Sequence, residues 1–158
     1  WVSDRAGESD LIIAADTTVV FNEKILGKPS SKNEAESMLH SLRGKSHQVF
    51  TGVAVSLRGV LIKDLCRTDV PMREYSDQEI QIYIESGDPF DKAGAYAIQH
   101  PQFQPVENLQ GCYANVMGLP LCHLTRTLRK MNVPVQDRLP KICQDHIGYE
   151  CPVFSYYV

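Results

Sequence analysis

The sequence predicts an α/β protein, a mixed, twisted sheet flanked by helices. Three observations carry this expectation. LIIAA, at 11–15, is a short continuous apolar run of the kind that forms a buried strand. Two Ser-x-x-Glu signatures, Ser31 to Glu34 and Ser76 to Glu79, mark helix starts. HQVFTGVAVSL (47–57) and VLIKDLCRTDV (60–70) flank Arg58-Gly59 as the two arms of a long antiparallel hairpin. Helices and strands thus interleave around a hairpin, the pattern of a sheet covered by helices.

The elements follow in order. After LIIAA the polar Asp16-Thr17-Thr18 intervenes, Val19-Val20-Phe21 resumes in β-favouring residues, and Asn22-Glu23 reads as a turn. Ala35, Met38, Leu39 and Leu42 recur at helical spacing behind Ser31, and Gly44 can stop that helix. The second helix runs from Ser76 through Glu85 to the breakers Gly87 and Pro89. Residues 95–99 read as a return to strand, and Val116 as the end of another. Leu121, Leu124, Leu128 and Met131 fall on one face of a helix over about 119–131. Pro134 divides a domain over 1–134 from an extension over 135–158, which holds a short helix near 139–147 and the aromatic end CPVFSYYV.

Charge and composition exclude several classes. The 16 Lys+Arg and 19 Asp+Glu of the 158 residues give a net charge of −3, unsuited to sequence-independent nucleic-acid binding, where phosphate neutralisation supplies most of the affinity. With 43% hydrophobic and 22% charged residues the chain is neither disordered nor fibrous. No apolar run approaches the roughly 18 residues of a membrane span, and WVSDRAGESD has no signal-peptide core. The expectation is a cytoplasmic protein without membrane or nucleic-acid partners. Five cysteines at irregular spacing, with no C-x-x-C pair, fit reduced thiols better than a disulfide framework or a zinc site.

Some tempting motifs fail. Gly44-Lys45-Ser46 ends like a P-loop, but Leu39 stands where that pattern needs glycine, and the tripeptide follows a helix instead of opening one. The five histidines make no H-E-x-x-H pair, and no serine sits in a G-x-S-x-G elbow. Asp16 is the stronger candidate. An acid directly after a buried strand lies where open α/β sheets gather ligands, able to bind a divalent cation or act as general base. A turn-forming aspartate is the equally weighted alternative. Lys28, in a loop stiffened by Pro29, and Lys92, in Asp91-Lys92-Ala93-Gly94, are two point charges for phosphate oxygens.

In order, the chain carries AADTTVV (14–20), ILGKP (25–29), EAESML (34–39), LRGKSHQVFTGVAV (42–55), YIESGDPFDKAGAYAIQ (83–99) and GCYANVMGLPL (111–121). These blocks resemble the Maf family of nucleotide pyrophosphatases over about 11–133. The resemblance implies a Maf/inosine-triphosphatase-like fold with two lobes around a cleft. It also implies hydrolysis of a nucleoside triphosphate to the monophosphate and pyrophosphate with a divalent metal, Mg2+ or Mn2+. By the same resemblance Asp16 would accept the proton and lie on or near the metal, Lys28 and Lys92 would hold phosphates, and Thr17 and Gln99 would select the base. The ADT, DKAGAY and Ile-Gln set is similar to the subgroup acting on dTTP and UTP, whereas the 7-methyl-GTP subgroup typically differs at Thr17, Lys92 and Gln99. A homodimer is the implied assembly.

The chain departs from that pattern in places. The family's opening strand and S-x-S-P-R-R phosphate loop have no counterpart, and no initiator methionine precedes Trp1, so the domain is expected to be N-terminally incomplete. Ala97 and His100 stand where the family usually has glycines. The alternative to the enzyme is a non-catalytic, division-associated nucleotide-binding protein that keeps the fold.

Overall fold

A computed structural model describes residues 5–7 and 9–154. Trp1 to Asp4, Glu8 and the last four residues of the aromatic end lie outside the described residues. Four strands form an open sheet in the order β2-β1-β3-β4: β1 Ile12–Phe21, β2 Lys24–Leu26, β3 Ser46–Leu57 and β4 Val60–Pro71. Among the described residues five α-helices accompany it: α1 Lys32–Leu42, α2 Asp77–Glu85, α3 Tyr113–Met117, α4 Leu121–Lys130 and α5 Leu139–Ile147. The α/β class holds. What is mixed is helix with strand, because every pairing among the described residues is antiparallel.

The hairpin forms around Arg58-Gly59 as predicted, with Leu57 opposite Val60. Along β3 the odd-numbered residues His47, Val49, Thr51, Val53 and Val55 are buried, and Cys66, Thr68 and Val70 of β4 lie on the same face. Onto that face pack Leu39 and Leu42 of α1 with Ile80, Tyr83 and Ile84 of α2, around Val19, Val49 and Val70. Leu124 and Leu128 of α4 cover Val53 and Val55, and Arg126 of α4 reaches Asp64 of β4 at 2.5 and 3.0 Å. Burying an aliphatic side chain contributes about 1.5–3 kcal/mol, so this one-sided layer is the main source of stability.

The two helix-start signatures resolve differently. At α2 both halves of the capping box form: Ser76 Oγ accepts from the Glu79 N–H, and the Glu79 carboxylate accepts from the Ser76 N–H. At α1 Ser31 Oγ accepts from the Glu34 N–H, but the Glu34 carboxylate turns to the N–H and hydroxyl of Ser30.

Four expectations are corrected. β1 runs unbroken through Asp16-Thr17-Thr18, because each residue pairs with β3. Its first half is not buried: β2 covers only Val19, Val20 and Phe21, and Ile13 is 44% exposed. Residues 95–99 are not a strand. Gly94 and Ala95 both take positive φ (73° and 62°), and the Ala97 N–H donates to the Tyr83 hydroxyl at 2.9 Å instead of to a ladder. Val116 lies in α3, which ends at Gly118 (φ 111°) with the Leu119 N–H on the Ala114 carbonyl. The described part of 135–154 packs through Cys143, Ile147 and Val153 against Cys66, Cys112 and Ala114.

His47 is a further buried polar residue, 3% exposed, with Nε2 2.7 Å from the Tyr96 hydroxyl and Nδ1 without a hydrogen-bond partner among the described residues. Burial disfavours its charged form and lowers its pKa from 6.5 to about 4. Between those values the unfolded chain binds a proton that the fold excludes, so stability is full above 6.5 and falls as pH drops toward 4. The loss is expected to reach about 3 kcal/mol. Urea melts of wild type and His47→Gln at pH 7 and 4.5 check this: the difference between them should shrink on acidification.

Candidate functional site

Asp16 sits in the middle of β1, not beyond its end. It is opposite Gly52 of β3, and its neighbours Thr17 and Val19 alternate toward the helices, so Asp16 lies on the uncovered face of the sheet. It is exposed there, and an ideal Cβ on Gly52 would meet no atom of the described residues within 4 Å.

Thr17, one residue on, faces inward. Its hydroxyl is 2.9 Å from that of Thr51, and Thr51 Oγ1 donates to the Asn115 carbonyl at 3.0 Å. Asn115, fully buried in α3, donates through Nδ2 to the Val49 carbonyl (3.1 Å) and to Thr68 Oγ1 (2.9 Å). Gly118 closes α3 against the same threonine, since a Cβ there would lie 3.4 Å from Thr17 Oγ1. A polar chain from Thr17 through Thr51 and Asn115 to Thr68 therefore crosses three strands and one helix.

The two lysine loops are joined. Lys28 is exposed before the buried Pro29, and the Gly94 N–H donates to the Gly27 carbonyl at 3.0 Å, tying the Lys28 loop to the Lys92 loop. Lys92 ion-pairs with Asp91 and, at 3.4 Å, with Asp88. Partial burial opposes its charge, but the Asp91 and Asp88 carboxylates outweigh burial and raise its pKa. The Lys92 ammonium beside it holds Asp91 below the usual carboxylate range, with a smaller contribution from the Lys28 charge. Asp88 accepts from the Tyr83 hydroxyl at 2.6 Å, so one buried tyrosine holds both Asp88 and the Ala97 amide.

Gly94 seats this loop on the sheet. Its φ is +73°, and a Cβ would come within 3.0 Å of Val19 Cγ1. Gly94→Ala is therefore expected to lose about 1–3 kcal/mol from backbone strain and overpacking. A thermal melt checks it, and an unchanged midpoint would mean the loop gives way freely.

Gln99 is exposed at a cleft of about 360 Å3 lined also by His100, Asn108, Tyr113 and Tyr149. None of the other four predicted site residues lines it. The structure thus joins the Lys28 and Lys92 loops, seats the latter on Val19 of the strand that bears Asp16 and Thr17, and sets Gln99 at a cleft of its own. Sequence reasoning missed Asn115, Thr51 and Tyr83. An asparagine inside the apolar stretch YANVM was the one available signal.

The donors for a divalent cation can be tested on the same residues. Among the described residues no group of three or more His, Cys, Asp or Glu is placed to hold a metal. Of the five predicted site residues, Asp16 is the one carboxylate. That suits magnesium, which is commonly held by one or two carboxylates, water and substrate phosphates.

An open antiparallel sheet with helices packed on one face, a carboxylate on the other and two lysine loops tied together defines the class as an α/β protein. Within that class the chain belongs to the Maf family, matching Maf-like protein over residues 1–131. It is 45% identical over 148 residues to a dTTP/UTP pyrophosphatase of Thermomicrobium roseum, covering 91% of this chain and 66% of that protein. It is 50% identical over 123 residues to a dTTP/UTP pyrophosphatase of Dehalococcoides mccartyi, covering 77% and 55%. A dTTP/UTP pyrophosphatase of Bacillus cereus is 42% identical over 125 residues, covering 79% and 65%. The chain spans between 55% and 66% of the length of these relatives.

Proposed function

We propose that the chain belongs to a nucleoside triphosphate pyrophosphatase that hydrolyses dTTP and UTP to the monophosphate and pyrophosphate. The observation that carries this reading is its 42–50% identity to relatives bearing that name. The joined lysine loops beside the Asp16 strand support it.

In this reading a water oxygen attacks the α-phosphorus, the bond between that phosphorus and the oxygen bridging to the β-phosphate breaks, and pyrophosphate leaves. Asp16 orients the water and accepts its proton. Lys28 and Lys92 hold the phosphates and offset the charge that develops on the leaving group. Lys92 reaches its task already paired with Asp88 and Asp91, so a triphosphate competes with those carboxylates for its ammonium. A divalent cation, Mg2+ or Mn2+, would supply further charge neutralisation at the phosphates, with Asp16 as its protein ligand. The family resemblance makes Thr17 and Gln99, each able to donate and accept, the candidates for selecting the pyrimidine base, and Gln99 does so from a cleft that Thr17 does not line.

The nucleotide is the proposed partner, in a cytoplasmic homodimer that binds neither nucleic acid nor membrane. Among the described residues no helix is long and apolar enough to cross a membrane. The test is pyrophosphate release by the full-length natural protein with magnesium across a nucleotide panel. Release is expected first from dTTP and UTP, and silence across the panel would sink the proposal.

A further inference from the structure

The five cysteines, scattered in sequence from 66 to 151, converge on one place in the fold. Cys66, on the core face of β4 and 1% exposed, packs with Cys112, 8% exposed, and Ala114, and Cys143 of α5 lies against them. The backbone holds Cys112 there. Its carbonyl accepts from Thr68 Oγ1 at 3.4 Å, and Gly111 approaches so closely that a Cβ on it would be 2.6 Å from Thr68 Cγ2. Thr68 and Cys66 are two residues apart on the same face of β4. On its other side Cys112 lines a cavity of about 20 Å3 together with Cys122, Cys143 and Cys151. Such a volume admits roughly one water-sized molecule. Cys151 Sγ is 4.0 Å from the Gly111 carbonyl, and both Cys143 and Cys151 are only partly buried, so the sulfur cluster has an outward side.

We propose that Cys66 and Cys112 form a peroxide-oxidisable thiol pair, a modification site separate from Asp16 and the lysine loops and independent of the proposed hydrolysis. Its co-reactant is hydrogen peroxide. The Cys112 sulfur attacks a peroxide oxygen: an S–O bond forms, the O–O bond breaks, and the departing hydroxide takes the thiol proton to leave as water. The Cys66 sulfur then attacks the Cys112 sulfur, forming S–S and breaking S–O, and its proton goes to the departing hydroxide as a second water. Two thiols are oxidised by two electrons and one peroxide is reduced to two waters.

The roles follow from the surroundings. The neighbouring Cys66 thiol favours charge on Cys112, burial opposes it, the Asn115 and Ala114 amides favour it, and the net direction for Cys112 is downward. Its partner Cys66 is pushed up, and burial raises Cys122, Cys143 and Cys151 as well. The thiolate is the attacking species, and Cys112 borders the cavity while Cys66 is not in its lining, so Cys112 meets the peroxide first. The resulting bond ties β4 to the start of α3, the helix that carries Asn115 and ends at Gly118 beside Thr17.

The experiment is peptide mapping of the full-length natural protein, reduced, exposed to hydrogen peroxide and alkylated. Expected are the loss of two hydrogens from the intact mass, a Cys66–Cys112 linked peptide, and its disappearance after dithiothreitol. Cys66→Ser should instead leave a dimedone-reactive sulfenic acid on Cys112. Oxidation confined to Cys143 and Cys151, a bond between two chains, or five thiols still alkylatable after denaturation would overturn the proposal. The wild-type map decides even where a serine variant does not fold.

Discussion

Asp16→Asn is expected, on the proposed function, to lower kcat for pyrophosphate release from dTTP and UTP by about 10²–10⁴-fold, the range typical of a lost general base. The substitution keeps the shape of the side chain and removes only the ability to take a proton. Asp16 lies on the uncovered sheet face opposite Gly52, so nothing in the core depends on it. An exposed substitution of this kind moves stability by within about 0.5 kcal/mol. The thermal midpoint should therefore stay where it is while turnover collapses, and nucleotide binding followed by titration should survive, because Lys28 and Lys92 are untouched. Steady-state kinetics and a melt on the same preparation check both halves. A variant that turns over at the wild-type rate would remove Asp16 from the proton-accepting role. One that loses turnover together with its folded state would make the residue structural.

How far the sequence reaches depends on the range of the interaction. The capping box at Ser76 and the hairpin around Arg58-Gly59 are local patterns, and both appear in the fold as read. The Glu34 carboxylate shows the limit even there: two adjacent serines offer equivalent donors, and the side chain takes Ser30. The stretch 95–99 has strand composition, but two successive positive φ values and the Tyr83 hydroxyl, fourteen residues upstream of Ala97, capture its backbone. Tertiary context overrides a weak local preference there. Asp16 was legible as a candidate but misplaced, because Asp-Thr-Thr reads as a break and the β3 ladder makes it strand. The joining of Lys28 and Lys92 rests on one hydrogen bond, from the Gly94 N–H to the Gly27 carbonyl, between residues that no periodicity connects.

The same reasoning makes Asn115 the residue whose loss the fold should feel most. Asn115→Ala removes the donors to the Val49 carbonyl and Thr68 Oγ1 and leaves a small void in a helix with no exposed surface at that position. A lost buried polar partner costs about 1–3 kcal/mol and the void adds to it, so destabilisation of about 2–4 kcal/mol is expected. For a chain of this size that lowers the midpoint by roughly 5–15 °C. Asn115→Asp separates hydrogen bonding from volume. It fills the same space but turns an acceptor toward two oxygens and adds a buried charge, so it should be at least as damaging as alanine. Thermal melts of the two variants decide between the terms. Aspartate milder than alanine would mean that packing, not the amide donors, holds α3 to the sheet. Both variants melting with wild type would mean that the chain from Thr17 through Thr51 to Thr68 carries no stabilising load. With Asn115 gone, the Thr51 hydroxyl still reaches the backbone carbonyl at position 115, because that acceptor belongs to the main chain. The side of the network nearest Thr17 should therefore outlast the side nearest Thr68, and amide exchange should rise first in β4, around Thr68.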